Sequence, residues 1–207
     1  MAKNWDEYWQ KEETFFGKTL SFVRKKIIAD ELSKTLEKYF PKTGLFIDAG
    51  SGSSETSLKI KNRKIIALDL SYLVLKKVDK NLPINSKINA DIFKLPFKDD
   101  SVDGIFNLGV MEHFKKEDII IILNEFYRVL KKDSYCILFW PSTYGPVNVT
   151  FSAIGFVLRK QFFPDEISLY KSKAQIKTIL KETRFNLVKI RWPLKGALIY
   201  HEIILKK

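Results

Sequence analysis

The chain holds one cysteine and two histidines among 207 residues. A single thiol cannot build a disulfide framework, which suits a reducing compartment, and Cys136 lies in the apolar run 135–140, as expected of a buried, inert side chain. Long apolar runs are also missing. The greasiest stretch, Val147 to Phe163, is interrupted by Asn148, Thr150, Ser152, Arg159, Lys160 and Gln161, so it falls short of the roughly 18 apolar residues of a membrane span. Met1 to Gln10 carry acids and tryptophans where a secretory signal has a basic region and an apolar stretch. A cytoplasmic location is expected. Internal repeats, low-complexity tracts and interdomain linkers are not seen.

What remains is ordinary globular composition, 45% hydrophobic and 29% charged, in a chain long enough to bury one full core. One domain over residues 1–207 is expected. The net charge of +12 favours phosphate-rich partners such as nucleic acid or anionic lipid. The excess, however, is lysine (30 Lys against 6 Arg) scattered along the chain, whereas nucleic-acid footprints cluster on one face and favour arginine. Generic lysine-rich composition is the preferred reading.

Apolar spacing orders the elements. Residues 1–40 read as a helical cap: Trp5, Tyr8 and Trp9 share a face, Leu20, Val23, Ile27, Ile28, Leu32, Leu36 and Tyr39 recur at helical spacing, and Pro41 ends the segment. Leu45-Phe-Ile47 is a short buried strand running into Asp48-Ala-Gly50-Ser51-Gly52-Ser-Ser54. A helix from Ser53 to Ile60, capped by Ser53 or Ser54, is expected next. Lys64 to Asp69 is a second strand ending in an acid, and a helix from Ser71 to Leu82 follows. Ser86 to Ala90 (closed by Asp91), Val102 to Leu108 and Tyr135 to Trp140 are further strands, with a helix over Asp118 to Leu130. Strands alternating with helices mean βαβ units and a mostly parallel, doubly wound α/β sheet. Asn186 to Trp192 and Ala197 to Leu205 are joined by only four residues, too few for a crossover helix, so a C-terminal antiparallel hairpin is predicted. The sheet is expected to be seven-stranded.

The glycines of the Asp48–Ser54 loop let the backbone turn tightly and approach a ligand closely. Asp69, about 20 residues further on at the end of strand two, can accept hydrogen bonds from both ribose hydroxyls. These features fit either NAD or S-adenosylmethionine (SAM). Asp91, at the end of strand three, can accept from an adenine amino group and is foreign to the dinucleotide pattern. The order Ala90-Asp91, Leu95-Pro-Phe97 and Ser101-Val-Asp103, together with the terminal hairpin, resembles the class I SAM-dependent methyltransferases over about Leu45 to Ser142, particularly their broad small-molecule group.

That resemblance implies a Rossmann-like fold. It places Asp48, Gly50, Ser51 and Gly52 along the methionine end of SAM, Asp69 and Leu70 at the ribose, Asp91 and Ile92 at the adenine, and Asn107 to His113 facing the methyl group, with S-adenosylhomocysteine (SAH) as product. Two positions depart from the family: its third loop glycine is Ser54, and its Pro-Gly-Gly turn before strand five is Lys132-Asp133-Ser134. Glu112 and His113 are the candidate general-base pair, since imidazole titrates near neutrality and a neighbouring acid can orient it; a packing role competes with this, because a histidine here recurs in the family across unrelated acceptors. His201, in the last hairpin strand, reads as a surface or sheet residue, and no metal site is expected.

Aromatic side chains flank the cofactor core: Trp5, Tyr8, Trp9, Phe15 and Phe16 before strand one, and Tyr144, Phe151, Phe156, Phe162 and Phe163 in the long connection 141–170. Long insertions at this edge of a doubly wound sheet cover the ligand crevice. Both are expected to form a lid over SAM that encloses an apolar or aromatic-bearing acceptor, and equally could simply fill the lid's own core; the leading function is methylation of a small-molecule, lipid-like or glycan-precursor acceptor. The stretch 147–163 offers peripheral membrane contact as a further alternative. An RNA or protein methyltransferase, a non-catalytic methyltransferase-like subunit and an NAD-dependent oxidoreductase are the competing readings. The sequence does not fix the oligomeric state.

Overall fold

A computed structural model describes residues 5–11, 28–144, 166–192 and 200–207. The chain opens with helix α1 (Trp5–Lys11), whose first turn carries Asp6 and Glu7, the sign that suits a helix N-terminus. Helix α2 (Ala29–Tyr39) buries Ala29, Leu32 and Leu36 on one stripe. Its C-terminal end is closed from outside the helix. Arg63 donates to the backbone oxygens of Phe40 (3.3 Å) and Pro41 (3.3 Å), just past the helix end, and as a second, longer donor (3.4 Å) to Leu36 O, which already accepts from Phe40 N (2.8 Å). Residues 12–27, between these two helices, lie outside the described ones.

Strands β1 (Leu45–Ala49), β2 (Lys64–Asp69), β3 (Ile84–Asn89), β4 (Val102–Leu108), β5 (Leu130–Pro141), β6 (Asn186–Arg191) and β7 (Tyr200–Lys206) form one sheet in the order β3-β2-β1-β4-β5-β7-β6. The first five pair in parallel, while β7 runs antiparallel to both β5 and β6. The mostly parallel seven-stranded sheet and the terminal antiparallel pair are as predicted. The connection 193–199 lies outside the described residues.

Neighbouring residues of each central strand serve opposite faces. Phe46, Phe106, Ile137 and Phe139 pack with Leu32, Leu36 and Phe40 beneath α2. Ile47, Ile105, Cys136 and Leu138 pack on the other side against Ile122 and Phe126 of helix α4 (Lys116–Val129) and Ile176 and Ile179 of helix α5 (Lys173–Leu180). Helix α3 (Tyr72–Lys76) lies between β2 and β3. The central strands are thus apolar on both faces, as parallel strands covered by helices must be. Each large buried side chain here contributes about 2 kcal/mol.

Local predictions met two corrections. The expected α-helix over Ser53–Ile60 is a 3-10 helix, Glu55–Lys59, and Ser54 before it adopts a left-handed conformation with no side-chain capping bond. The expected helix from Ser71 to Leu82 is shortened to α3. Ser71 caps its start by accepting from Val74 N (3.2 Å), but Asp79 Oδ1 accepts from Asn81 N (2.8 Å), a local turn that competes with helix continuation. Strand β5 runs through the predicted turn: Asp133 takes φ 64° inside it. No helix among the described residues is long and apolar enough to cross a membrane.

Candidate functional site

Connections from β1 lead to β2 on one side and, after β3, to β4 on the other, so a crevice opens between the C-terminal ends of β1 and β4. Ligands bind at such switch points in open α/β sheets. A cavity of ≈ 420 Å³ occupies this place, within the usual size of small-molecule sites of about 300–1,000 Å³.

The loop after β1 is shaped to leave room. Gly50 (φ 71°) and Gly52 (φ 53°) are both in the left-handed region. A side chain at Gly50 would stand 2.6 Å from Val110 Cγ2, and one at Gly52 2.7 Å from the Trp9 ring. The loop is tied to β2: the N–H groups of Gly50 and Ser51 donate to Leu68 O at 2.8 and 3.0 Å, and Gly52 N donates to Asp69 Oδ2 at 2.8 Å. Asp69 Oδ1 accepts from Ser71 N, also at 2.8 Å. Burial pushes the Asp69 carboxyl above the ordinary range, against these hydrogen bonds.

Asp48 is more deeply placed, 3% exposed. Desolvation dominates there and pushes its carboxyl up to about 7, although the Ser54 and Ser57 hydroxyls both donate to it. Asp91 closes the far end of the cavity, with Phe93 N donating to its Oδ1 at 2.9 Å, and Ile92 lies beside it.

Of the residues picked out from the sequence, Asp48, Gly50, Ser51, Gly52, Asp69, Leu70, Asp91, Ile92 and His113 line this one cavity. Asn107 and Glu112 do not. Asn107, 1% exposed, turns its amide to β1, donating to Ala49 O, and its Oδ1 is buried without a hydrogen-bond partner among the described residues. Glu112 sits behind His113, with Oε1 3.9 Å from His113 Nε2, and its backbone oxygen accepts from Ile167 N (2.8 Å) and Ser168 N (2.9 Å). It therefore fastens the returning segment to the 3-10 turn Met111–His113.

Trp5 and Trp9 of α1 also line the cavity. The Trp5 ring meets His113 edge-on at 5.3 Å and lies 6.2 Å from Phe114, which in turn meets Phe93 at 5.4 Å. Helix α1 is held by Asp6, whose Oδ1 accepts from Ser71 Oγ at 2.5 Å. From the connection 141–170, Ile167 reaches the cavity while Tyr144 is exposed. Phe15, Phe16, Phe151, Phe156, Phe162, Phe163 and the stretch 147–163 lie outside the described residues. The sequence reading placed Asn107 to His113 at the methyl group but passed over Phe114 and Lys115 as lining residues; only their place shortly after β4 and its Gly109 could have signalled them. His201, in β7, is stacked between Tyr170 (4.1 Å) and Trp192 (5.0 Å), and burial lowers its pKa. Cys136 is buried in the sheet, where desolvation raises its thiol pKa far above the ordinary range. Among the described residues no cluster of three or more His, Cys, Asp or Glu could hold a metal ion.

Residues 47–138, from β1 through β5, match the family described as "Methyltransferase domain". The match takes in somewhat less than half of the chain. An uncharacterized protein of Methanocaldococcus jannaschii is 31% identical over 132 residues, 63% of this chain and 56% of that protein. Malonyl-[acyl-carrier protein] O-methyltransferase of Hamiltonella defensa is 32% identical over 87 residues, 41% of this chain and 33% of that enzyme. The chain thus spans about half or less of the curated relatives it matches. Magnesium protoporphyrin IX methyltransferase from Synechocystis PCC 6803, solved with bound SAH, superposes with a TM-score of 0.68 at 16% identity, over 97% of this chain and 93% of that one. At this identity the likeness is one of fold, and the fold is the Rossmann-like methyltransferase fold. In this fold the loop after β1, Asp69 and Asp91 all line a single cavity.

Proposed function

We propose that this chain is a SAM-dependent methyltransferase acting on a small molecule with an apolar or aromatic body, its residues 1–207 forming one domain. The observation that carries the reading is the joining of Asp48, Asp69 and Asp91 with Gly50 and Gly52 along one cavity. Three carboxylates without an ion-pair partner among the described residues suit a ligand that brings its own positive charge. Two left-handed glycines, each filled by a neighbour if given a Cβ, leave space for a ligand against the backbone.

In this reading Asp69 and Leu70 hold the ribose, Asp91 and Ile92 frame the adenine, and Asp48, Gly50, Ser51 and Gly52 line the methionine end. Bound SAM supplies an already activated sulfonium methyl donor. The protein's task is then alignment and exclusion of water. Trp5, Trp9 and Phe114 would wall the acceptor, and His113, in contact with Trp5, would accept a proton from an acceptor hydroxyl or amine. Glu112 would hold His113 in place without touching substrate. Asn107 would act one layer further back, through Ala49 O.

The relative named for malonyl-[acyl-carrier protein] is compatible with a carrier-linked acyl acceptor, one member of the lipid-like class. Calorimetric titration with SAM and SAH tests the proposal: micromolar binding that Asp69→Ala removes supports it. Tight NADH binding with no response to SAM or SAH overturns it.

A further inference from the structure

Where the family loop has its third glycine, this chain has Ser54, and the backbone keeps the left-handed conformation a glycine would take, φ 54° and ψ 21°. For an L residue this conformation costs about 1–2 kcal/mol. Ser54 is buried and does not cap the following 3-10 helix. Its hydroxyl turns the other way and donates to Asp48 Oδ2 at 3.2 Å. Three residues on, fully buried Ser57 donates to the same oxygen at 3.3 Å. Two hydroxyls therefore converge on one oxygen of a buried carboxylate that has no cation beside it among the described residues. The other oxygen, Oδ1, makes no hydrogen bond among them, and Asp48 belongs to the cavity lining.

We infer that Ser54 and Ser57 are positioning residues that hold Asp48 by one oxygen, leave the other available to the cavity, and favour the ionised carboxylate as counter-charge for a cationic ligand. The inference rests on the proposed SAM site, whose ligand carries ammonium and sulfonium charges. The two serines oppose the desolvation of Asp48, and the nearby Asp69 carboxylate works against them. The other titratable groups on the cavity are Glu55, Asp91, His113, Lys115 and Asp118. A hydroxyl can stabilise the ionised form only by donating to it, and both do. The departure from glycine at position 54 thus has a function of its own.

The test uses the full chain, wild type against the double variant Ser54→Gly, Ser57→Ala, with Ser57→Ala alone as the milder change. Glycine at 54 accepts the left-handed backbone. Carboxyl-carbon NMR titration of ligand-free protein reads Asp48 directly, and calorimetry reads SAH binding at pH 7 and pH 9. The expected result is an Asp48 midpoint raised by about one pH unit in the double variant, with SAH affinity lowered about fivefold to tenfold at pH 7 and restored at pH 9. An unmoved Asp48 midpoint, or an affinity lost equally at both pH values, overturns the inference while leaving the SAM site intact. If wild type binds neither SAM nor SAH although the midpoint moves as expected, the SAM reading falls, and the serines stand as the groups that set the charge of Asp48.

Discussion

The two ends of the sheet treat their carboxylates in opposite ways. At the N-terminal end, acids are paired with bases. Arg128 bonds Glu125 (2.7 Å) and Asp99 (2.6 Å), Arg63 bonds Glu37 (2.5 Å), and Lys131, Lys206 and Lys207 reach Asp103, Asp133 and Asp100 at 2.7 Å. The arginine partners hold Glu37 and Glu125 below their ordinary range. At the C-terminal end, Asp48 and Asp69 are buried beside one another and burial raises both. One end spends its acids on stability. The other keeps them unneutralised, which costs stability and is the usual mark of a binding site.

The contrast has a pH signature with opposite signs. A group held low in the folded state lends stability above its unfolded pKa and withdraws it as pH falls through the folded value. A group held high lends stability in acid and withdraws it as pH rises. Glu37 and Glu125 thus weaken the fold on acidification. Asp48, moving from 3.8 to about 7, weakens it as pH climbs across that interval.

The sharpest way to break the comparison is Gly52→Ala, which strains a left-handed residue and drives a methyl group into Trp9. SAH binding is expected to fall by more than a hundredfold by calorimetry; retention of affinity would mean that the loop does not meet the ligand. Next is Asp48→Asn. At pH 8 the ligand-free variant should be more stable than wild type by about 4 kcal/mol in urea melts, the gap shrinking below pH 7 and closing near pH 4, while SAH affinity drops at least tenfold. A variant less stable at pH 8 would show that Asp48 is a structural acid like those at the other end. Arg128→Met removes bonds to Leu95 O and Phe97 O as well as both acids. It should cost about 1–2 kcal/mol and leave SAH binding unchanged. Lys116→Ala, which breaks an exposed pair with Glu182 at 2.6 Å, should shift neither melting temperature nor binding measurably.

Much of this was legible beforehand because it depends on local patterns. Apolar triplets ending in acids announced β1 and β2, and the four-residue link between the last two apolar runs announced their antiparallel pairing. The cavity was legible through Asp48, Gly50, Gly52, Asp69 and Asp91. The places of Asn107 and Glu112 were not, because adjacent residues on a strand such as β4 face opposite ways, and in the 3-10 turn Met111–His113 neighbouring side chains likewise diverge, so position along the chain does not say which of them meets a crevice. The 3-10 helix after the loop was hidden for another reason: Ser54 looks like a cap in one dimension, and only the presence of Asp48 beside it turns its hydroxyl away.

The sequence by itself determined the alternation of strand and helix, the two-sided apolar core and the turn chemistry at β1, since each follows from residue type and spacing within one segment. Only the tertiary structure decided that acids at the ends of three strands share one cavity, that Trp5 and Trp9 from the N-terminal helix line it, and that Asp48 has no cation beside it among the described residues. Burial and charge pairing depend on segments distant in the chain, and no local pattern encodes which of them will meet.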